Sequence, residues 1–244
     1  MMVGVFERVF EVGKVYRAEG SNTNKHLSEF IGFDFEMGFI SSVEEVMDME
    51  ENLLNYIFSK VLYCSKELEY LNIDLKRWNN LKFFKSFPRI TYNEAVEIIK
   101  TEYNYELPGI GLNTEAEKLI CEYAKTKYDS DFVFITKYPL SERPFYAMPS
   151  ENGVDSETFE LLYKGTEITS GGERISNYND LVSSIKAKKL IPENFESYLM
   201  AFKYGMPPHG GCGIGCERLI MKMLNLNTAE ECSLIPRTKD KYIH

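Results

Sequence analysis

The spacing of apolar residues changes period several times along the chain, and each change marks an element. Residues 5–19, VFERVFEVGKVYRAE, carry short apolar groups broken by Gly13 and predict extended structure. A polar loop, GSNTNKH, follows. FIGFDFEMGFI then sets Phe30, Gly32, Asp34 and Glu36 against Ile31, Phe33, Phe35 and Met37. A period of two places both carboxylates on one face and the large hydrophobes on the other. Two strands around a polar loop predict an antiparallel hairpin. The loop is long for a hairpin and rich in groups that bind an anion. From Val43 to about Leu71 the apolar positions (Val46, Met49, Leu53, Leu54, Ile57, Val61, Leu62, Leu68) take helical spacing. Ser41 or Ser42, followed by Glu44 and Glu45, supplies the start signal.

TYNEAVEIIKTEY and NTEAEKLICEYAKTKY predict two further helices, each opened by a Thr or Asn cap. DFVFITKYP reads as a buried strand ended by Pro139, and SETFELLYKGTEITSG as two strands turning near Gly165. NYNDLVSSIKAKKL and IPENFESYLMAFKYG read as helices, the second with proline near its first turn. The latter half of HGGCGIGCERLIMKMLNL is a last helix. No repeat or low-complexity linker divides the chain. The pattern is α+β, one domain over 1–244, with strands from both ends of the chain and helices between.

Composition narrows the class. The 244 residues are 44% apolar and 14% aromatic, enough for a substantial core and against disorder. No apolar run approaches the roughly 20 residues of a membrane span. Glu7 and Arg8 interrupt the first apolar stretch too early for a signal peptide. Five cysteines (Cys64, Cys121, Cys212, Cys216, Cys232) lack metal-type spacing and read as reduced thiols. A net charge of −9 argues against a general nucleic-acid-binding module, which needs clustered Lys and Arg. The expectation is a soluble cytoplasmic protein with no membrane partner.

Three segments hold candidate chemistry, and each has a plain structural alternative. YRAE puts Arg17 at a strand end, with Lys25 and His26 in the loop and Glu29, Asp34 and Glu36 on the return strand. A guanidinium there can fork a carboxylate or phosphate; alone, the segment reads rather as an ordinary surface ion pair. In HGGCGIGCER, Gly211, Gly213 and Gly215 leave one face of an extended segment bare, a floor for a flat base, and Arg218 opens a helix within reach of a phosphate. A tight turn before a core helix explains the glycines as well. Neither a Rossmann unit nor a P-loop is supported. TEITSGGERI gathers Glu167, Ser170 and Arg174, with Glu160 on the neighbouring strand. Two carboxylates and a hydroxyl suit Mg²⁺; each alone reads as a solvated strand end. The spacing of Cys212 and Cys216 argues for zinc only weakly, and no GxSxG elbow supports a triad through His26 or His209.

Together the segments resemble the class II aminoacyl-tRNA synthetases, and within them the aspartate/asparagine/lysine subgroup in its archaeal/eukaryotic form. VFEVGKVYRAEGSNTNKHLSEFIGFDFEM is similar to that family's motif 2 (about 5–38) and YGMPPHGGCGIGCERLIMKML to its motif 3 (about 204–224). RPFYAMP and EITSGGERI resemble segments of the aspartyl enzymes. The interval between Arg17 and Arg218 leaves no room for the large insertion of bacterial aspartyl enzymes. The resemblance implies a mainly antiparallel sheet flanked by helices, without the family's N-terminal anticodon-binding barrel and motif 1. It implies activation of aspartate by ATP and Mg²⁺ and transfer to tRNA(Asp), with tRNA(Asn) a second acceptor and a homodimer as the family's state.

The same resemblance assigns roles. Arg17 and Arg218 are the catalytic pair. Arg17, Ala18, Glu19, Lys25, His26, Leu27, Phe30, Glu167, Gly215, Cys216, Glu217 and Arg218 bind ATP, with Glu19 on the adenine amino group, Phe30 and Arg218 on its two faces, and Lys25 and His26 on the terminal phosphates. Arg17, Asp34, Glu36, Ser170 and Arg174 hold aspartate, Arg174 pairing with the side-chain carboxylate. Glu160, Glu167 and Ser170 hold the metal. This sequence departs from the family's pattern at Glu160 (usually Asp), Glu173 (usually Gln) and Lys25 (usually Arg), and Glu173 adds a negative charge next to Arg174 in sequence. The shortened form leaves two alternatives: an asparagine-synthetase-like paralogue or an inactive remnant.

Overall fold

The structure, a computed structural model, describes residues 3–18, 20, 23–63, 65–70 and 86–240. A one-turn helix α1 (Val3–Phe6) precedes the hairpin strands β1 (Arg8–Tyr16) and β2 (Glu29–Gly38). The hairpin is as expected, but Val5 and Phe6 are helical. Val3 is buried against Gly38, and Glu7, at φ 61°, donates its N–H to Val3 and reverses the chain before β1. Helices α2 (Val43–Tyr63) and α3 (Ser65–Tyr70) follow, with Leu71 outside the described residues. The Glu45 carboxylate accepts the Ser41 N–H at the start of α2, a serine-to-glutamate start of the kind expected.

Strand β3 (Arg89–Thr91) leads into α4 (Tyr92–Tyr103), capped by a reciprocal Thr91–Glu94 box. Helix α5 (Thr114–Tyr128) is capped by Asn113. Strands β4 (Phe132–Thr136), β5 (Thr158–Tyr163) and β6 (Thr166–Arg174) come next, then α6 (Tyr178–Ala187). Pro192 opens a 3₁₀ turn rather than an α-helix, and α7 begins only at Glu196 (Glu196–Lys203). The last pair is β7 (His209–Gly215) and α8 (Cys216–Leu224).

The strands form one seven-stranded sheet, ordered β1-β2-β7-β6-β5-β4-β3, antiparallel except where β3 meets β4. Its two faces do different work. One packs Phe35, Met37, Phe159, Leu161, Cys212 and Ile214 against Val46, Met47, Leu54 and Phe58 of α2. Gly171 is required there. A Cβ on it would lie 2.5 Å from Cys212 Cβ and 2.6 Å from the Phe159 ring. On the other face α4 and α5 cover the β3–β4 end, burying Ala95, Ile99, Ile120 and Ala124 against Val133, Ile135 and Leu162. Helices α6 and α7 form a third cluster with the 145–148 segment. Between these covers the second face stays open, and the register stacks Asp34, Gly213, Ser170 and Glu160 across four neighbouring strands. Beside that row run Glu36, Gly211, Gly172 and Thr158.

Candidate active site

The open part of the second face is the floor of a cavity of about 490 Å³. The glycines of β7 keep it flat. A Cβ on Gly211 would meet the Phe35 carbonyl oxygen at 2.0 Å and Glu36 Cδ at 2.5 Å, so no side chain fits. Most residues named from the sequence converge here. Arg17, Lys25, His26, Leu27 and Phe30 come from the β1–β2 hairpin, and Asp34 and Glu36 from β2. Glu167, Ser170 and Arg174 come from β6, and Gly215, Glu217 and Arg218 from the β7–α8 junction. Ala18, Cys216 and Glu160 are not among its lining residues, and Glu19 lies outside the described residues.

At one end, Arg174 donates to Glu36 Oε1 through Nη2 (3.0 Å) and Nε (3.3 Å), and to the Gly211 carbonyl (3.1 Å). Its guanidinium also lies 5.1 Å from the Tyr146 ring centre. Glu36 Oε2 is buried without a hydrogen-bond partner, so an acceptor stands ready for a donor. Burial and the nearby Glu11 charge push the Asp34 carboxyl above its usual range, while Arg17 opposes the shift. Glu173 follows the strand's alternation away from Arg174. It sits with Lys137 and Glu157, and burial raises its carboxyl. Its charge therefore does not line the cavity, although it adjoins Arg174 in sequence.

At the other end the chain's distant segments are stitched together. Arg218 donates from Nε to the Lys25 carbonyl (3.1 Å) and from Nη1 to both the carbonyl and Oε2 of Glu167 (3.1 Å each). Lys25 Nζ lies 2.6 and 2.8 Å from the two oxygens of Glu117 on α5. The Arg17 guanidinium faces the Phe30 ring at 5.3 Å from its centre. Glu217 directs both carboxylate oxygens to the Ile31 N–H (2.9 and 3.0 Å), locking the start of α8 to β2. Cys216 is a half-buried thiol pushed up to about 11, chiefly by burial, and is protonated at neutral pH.

The metal set is only partly assembled. Glu160 has one oxygen on the Tyr138 hydroxyl (2.6 Å) and the other on Arg143 Nη2 (2.9 Å). Burial and the Glu167 charge raise its carboxyl. Among the described residues no group of three or more His, Cys, Asp or Glu side chains is placed to hold a metal. Glu167 and Ser170 remain facing the cavity, two oxygen donors that suit Mg²⁺ when phosphates and water complete its shell.

Sequence reasoning missed Glu117, Arg143 and Tyr146. Arg143 and Tyr146 belong to RPFYAMP, a segment whose sequence alone assigns them no role. Glu117 had a legible signal: it lies on the same helical stripe as the buried Ile120, Cys121 and Ala124, where a charge needs a partner.

The chain matches the family described as class II tRNA synthetases (D, K and N) over residues 1–239. It is 46% identical over 242 residues to the aspartate–tRNA(Asp/Asn) ligase of Thermus thermophilus, covering 99% of this chain and 56% of that protein. The aspartyl-tRNA synthetase of Entamoeba histolytica superposes with TM-score 0.85 at 34% identity, over 98% of this chain and 50% of that one. An asparaginyl-tRNA synthetase of Pyrococcus horikoshii, complexed with asparaginyl-adenylate, superposes with TM-score 0.89 at 29% identity, over 100% and 55%. The fold and the converging segments are thus those of a class II synthetase catalytic domain. The chain belongs to the D, K and N group of that class, and spans about half the length of these relatives.

Proposed function

We propose that this chain activates aspartate with ATP, forming aspartyl-adenylate and pyrophosphate, and passes the aspartyl group to tRNA(Asp). The observation that carries the reading is the single cavity with Arg174 at one end and the Arg17, Lys25 and Arg218 cations at the other. Arg174 offers the N–H groups of its Nη1 to the substrate's side-chain carboxylate, and Glu36 Oε2 and Asp34 accept from its ammonium. This pairing supports aspartate over asparagine, whose neutral amide gains little from a guanidinium. The substrate α-carboxylate oxygen attacks the α-phosphorus, the bond to the β-phosphate bridging oxygen breaks, and pyrophosphate leaves with that electron pair. Arg17 stabilises the charge on the α-phosphoryl oxygens. Phe30 and Arg218 hold the base between them over the glycine floor. Glu167 and Ser170 would hold Mg²⁺, which when bound neutralises triphosphate charge. The rate gain comes from alignment and fixed charge, with no covalent enzyme intermediate. For the acceptor, the name of the Thermus relative includes tRNA(Asn), and the same acceptor is part of this proposal.

The test is aspartate-dependent ATP–pyrophosphate exchange by the 244-residue chain with Mg²⁺, with asparagine and lysine as controls. Exchange with aspartate alone supports the reading. No exchange from a folded chain that still binds ATP identifies a remnant, and ammonia-dependent asparagine formation without tRNA identifies the paralogue.

A further inference from the structure

Glu117 is a buried carboxylate on α5 that neither recognition of aspartate nor adenylate chemistry requires. Its side chain is 6% exposed, yet it joins two separate parts of the site. Both oxygens engage Lys25 Nζ, at 2.6 and 2.8 Å, and one also accepts the Glu167 N–H at 3.3 Å. Burial raises the Glu117 carboxyl, and the Lys25 ammonium is the largest influence holding it down. Lys25 lies in the long polar loop after β1, where a free lysine would sample many rotamers and lose that entropy on immobilisation. Here its side chain is only 15% exposed. An ammonium has three donors. Two are spent on Glu117, which leaves one.

We propose that Glu117 is a positioning residue that holds the Lys25 ammonium in one orientation, with its third N–H free for an oxygen of the terminal phosphates of ATP. The inference rests on the ATP reading above and deepens it. Glu117 never touches substrate. It acts through Lys25, and through the Glu167 backbone it fixes that lysine relative to β6. Arg218, which bonds the Lys25 carbonyl, secures the loop backbone, while Glu117 secures the side chain.

Two measurements on Glu117→Gln test this. Acetylation of Lys25 by N-hydroxysuccinimidyl acetate, followed residue by residue by mass spectrometry without nucleotide, is expected to speed up about tenfold. The other lysines should react at wild-type rates and the melting temperature should shift little. Calorimetric ATP binding is expected to weaken about tenfold, with kcat for exchange within twofold of wild type. Glu117→Asp, which keeps the charge with a shorter reach, should recover part of both effects and serves if the Gln variant misfolds. An unchanged Lys25 rate overturns the proposal, as does an unchanged ATP affinity alongside a faster Lys25 rate. If wild-type chain binds no ATP while Lys25 is still shielded by Glu117, the failure lies in the ATP reading and takes the phosphate role with it.

Discussion

Arg174 Nη2 sits 3.0 Å from Glu36 Oε1 and 3.1 Å from the Gly211 carbonyl, so the guanidinium is oriented before any substrate arrives. Nε and Nη2 are taken up by Glu36 and Gly211, which leaves the two N–H groups of Nη1, on a side chain that lines the cavity, for a substrate. Pre-orientation of this kind reduces the entropy lost on binding.

Replacing Arg174 by Leu removes the guanidinium and leaves Glu36 without its counter-charge. Charge-assisted hydrogen bonds contribute about 1.5–3 kcal/mol each, so kcat/KM for aspartate in exchange should fall at least about 100-fold. ATP affinity should stay within about threefold. A variant that still prefers aspartate to leucine would remove Arg174 from the substrate site.

Arg218→Ala deletes three hydrogen bonds that join the hairpin loop to β6. Removing one such preorganised donor typically costs 10²–10³ in rate, and adenylate formation should fall by at least about that much. The circular dichroism spectrum should not change, because α8 is held independently by Glu217 on the Ile31 N–H. Near-normal exchange would sink the assigned role.

Glu50 gives a pH prediction. It is wholly buried on α2, beneath the floor, against the Thr169 hydroxyl and the Cys212 thiol, and burial pushes its carboxyl up to about 8. The folded state therefore keeps a proton that the unfolded chain gives up near the ordinary glutamate value of 4.5. The contribution is full below that value and is lost as pH rises through about 8. Relative to Glu50→Gln, wild-type unfolding free energy should decline across this window by up to about 1.4 kcal/mol per pH unit. Urea titrations at pH 5, 6, 7 and 8 measure the slope. Parallel curves for the two proteins would show that Glu50 does not carry the proton.

The floor glycines should separate by what lies above them. Gly211→Ala drives a Cβ into the Phe35 carbonyl and should cost about 3 kcal/mol or more in urea unfolding. Gly213→Ala meets only the Asp34 side chain, nearest at a carboxylate oxygen 2.8 Å away, which can swing aside. It should cost much less stability and instead raise KM for aspartate. Equal unfolding free energies for the two variants would contradict this picture of the floor.

Much of this was legible in the sequence because the physics is local. The alternation at Ile31–Met37 set which residues of β2 face the site, and Thr91 and Asn113 marked two helix starts by side-chain capping alone. The faults at Val5 and Pro192 are end effects, where a buried Val3 or a 3₁₀ turn decides the last few residues, and the three-residue β3 is too short to show a period. What the sequence hid depends on long-range partners. Nothing local says that Glu160 will meet Tyr138 and Arg143, or that Lys25 will meet a carboxylate 92 residues away. Glu173 misled in the opposite sense, because adjacency in a strand means opposite faces.

Ile168 has a further consequence. Between Leu161 and Leu162 the β5–β6 register shifts, with Leu161 opposite Thr169 and Leu162 opposite Glu167, so Ile168 is an unmatched residue. In an unbulged strand Glu167 and Ser170, three positions apart, would point to opposite sides of the sheet; with the bulge, both face the cavity. The residue count of this strand is therefore itself part of the chemistry. A register slip that straightened the bulge while keeping every residue would leave every catalytic side chain present, yet turn one of the two away from the site.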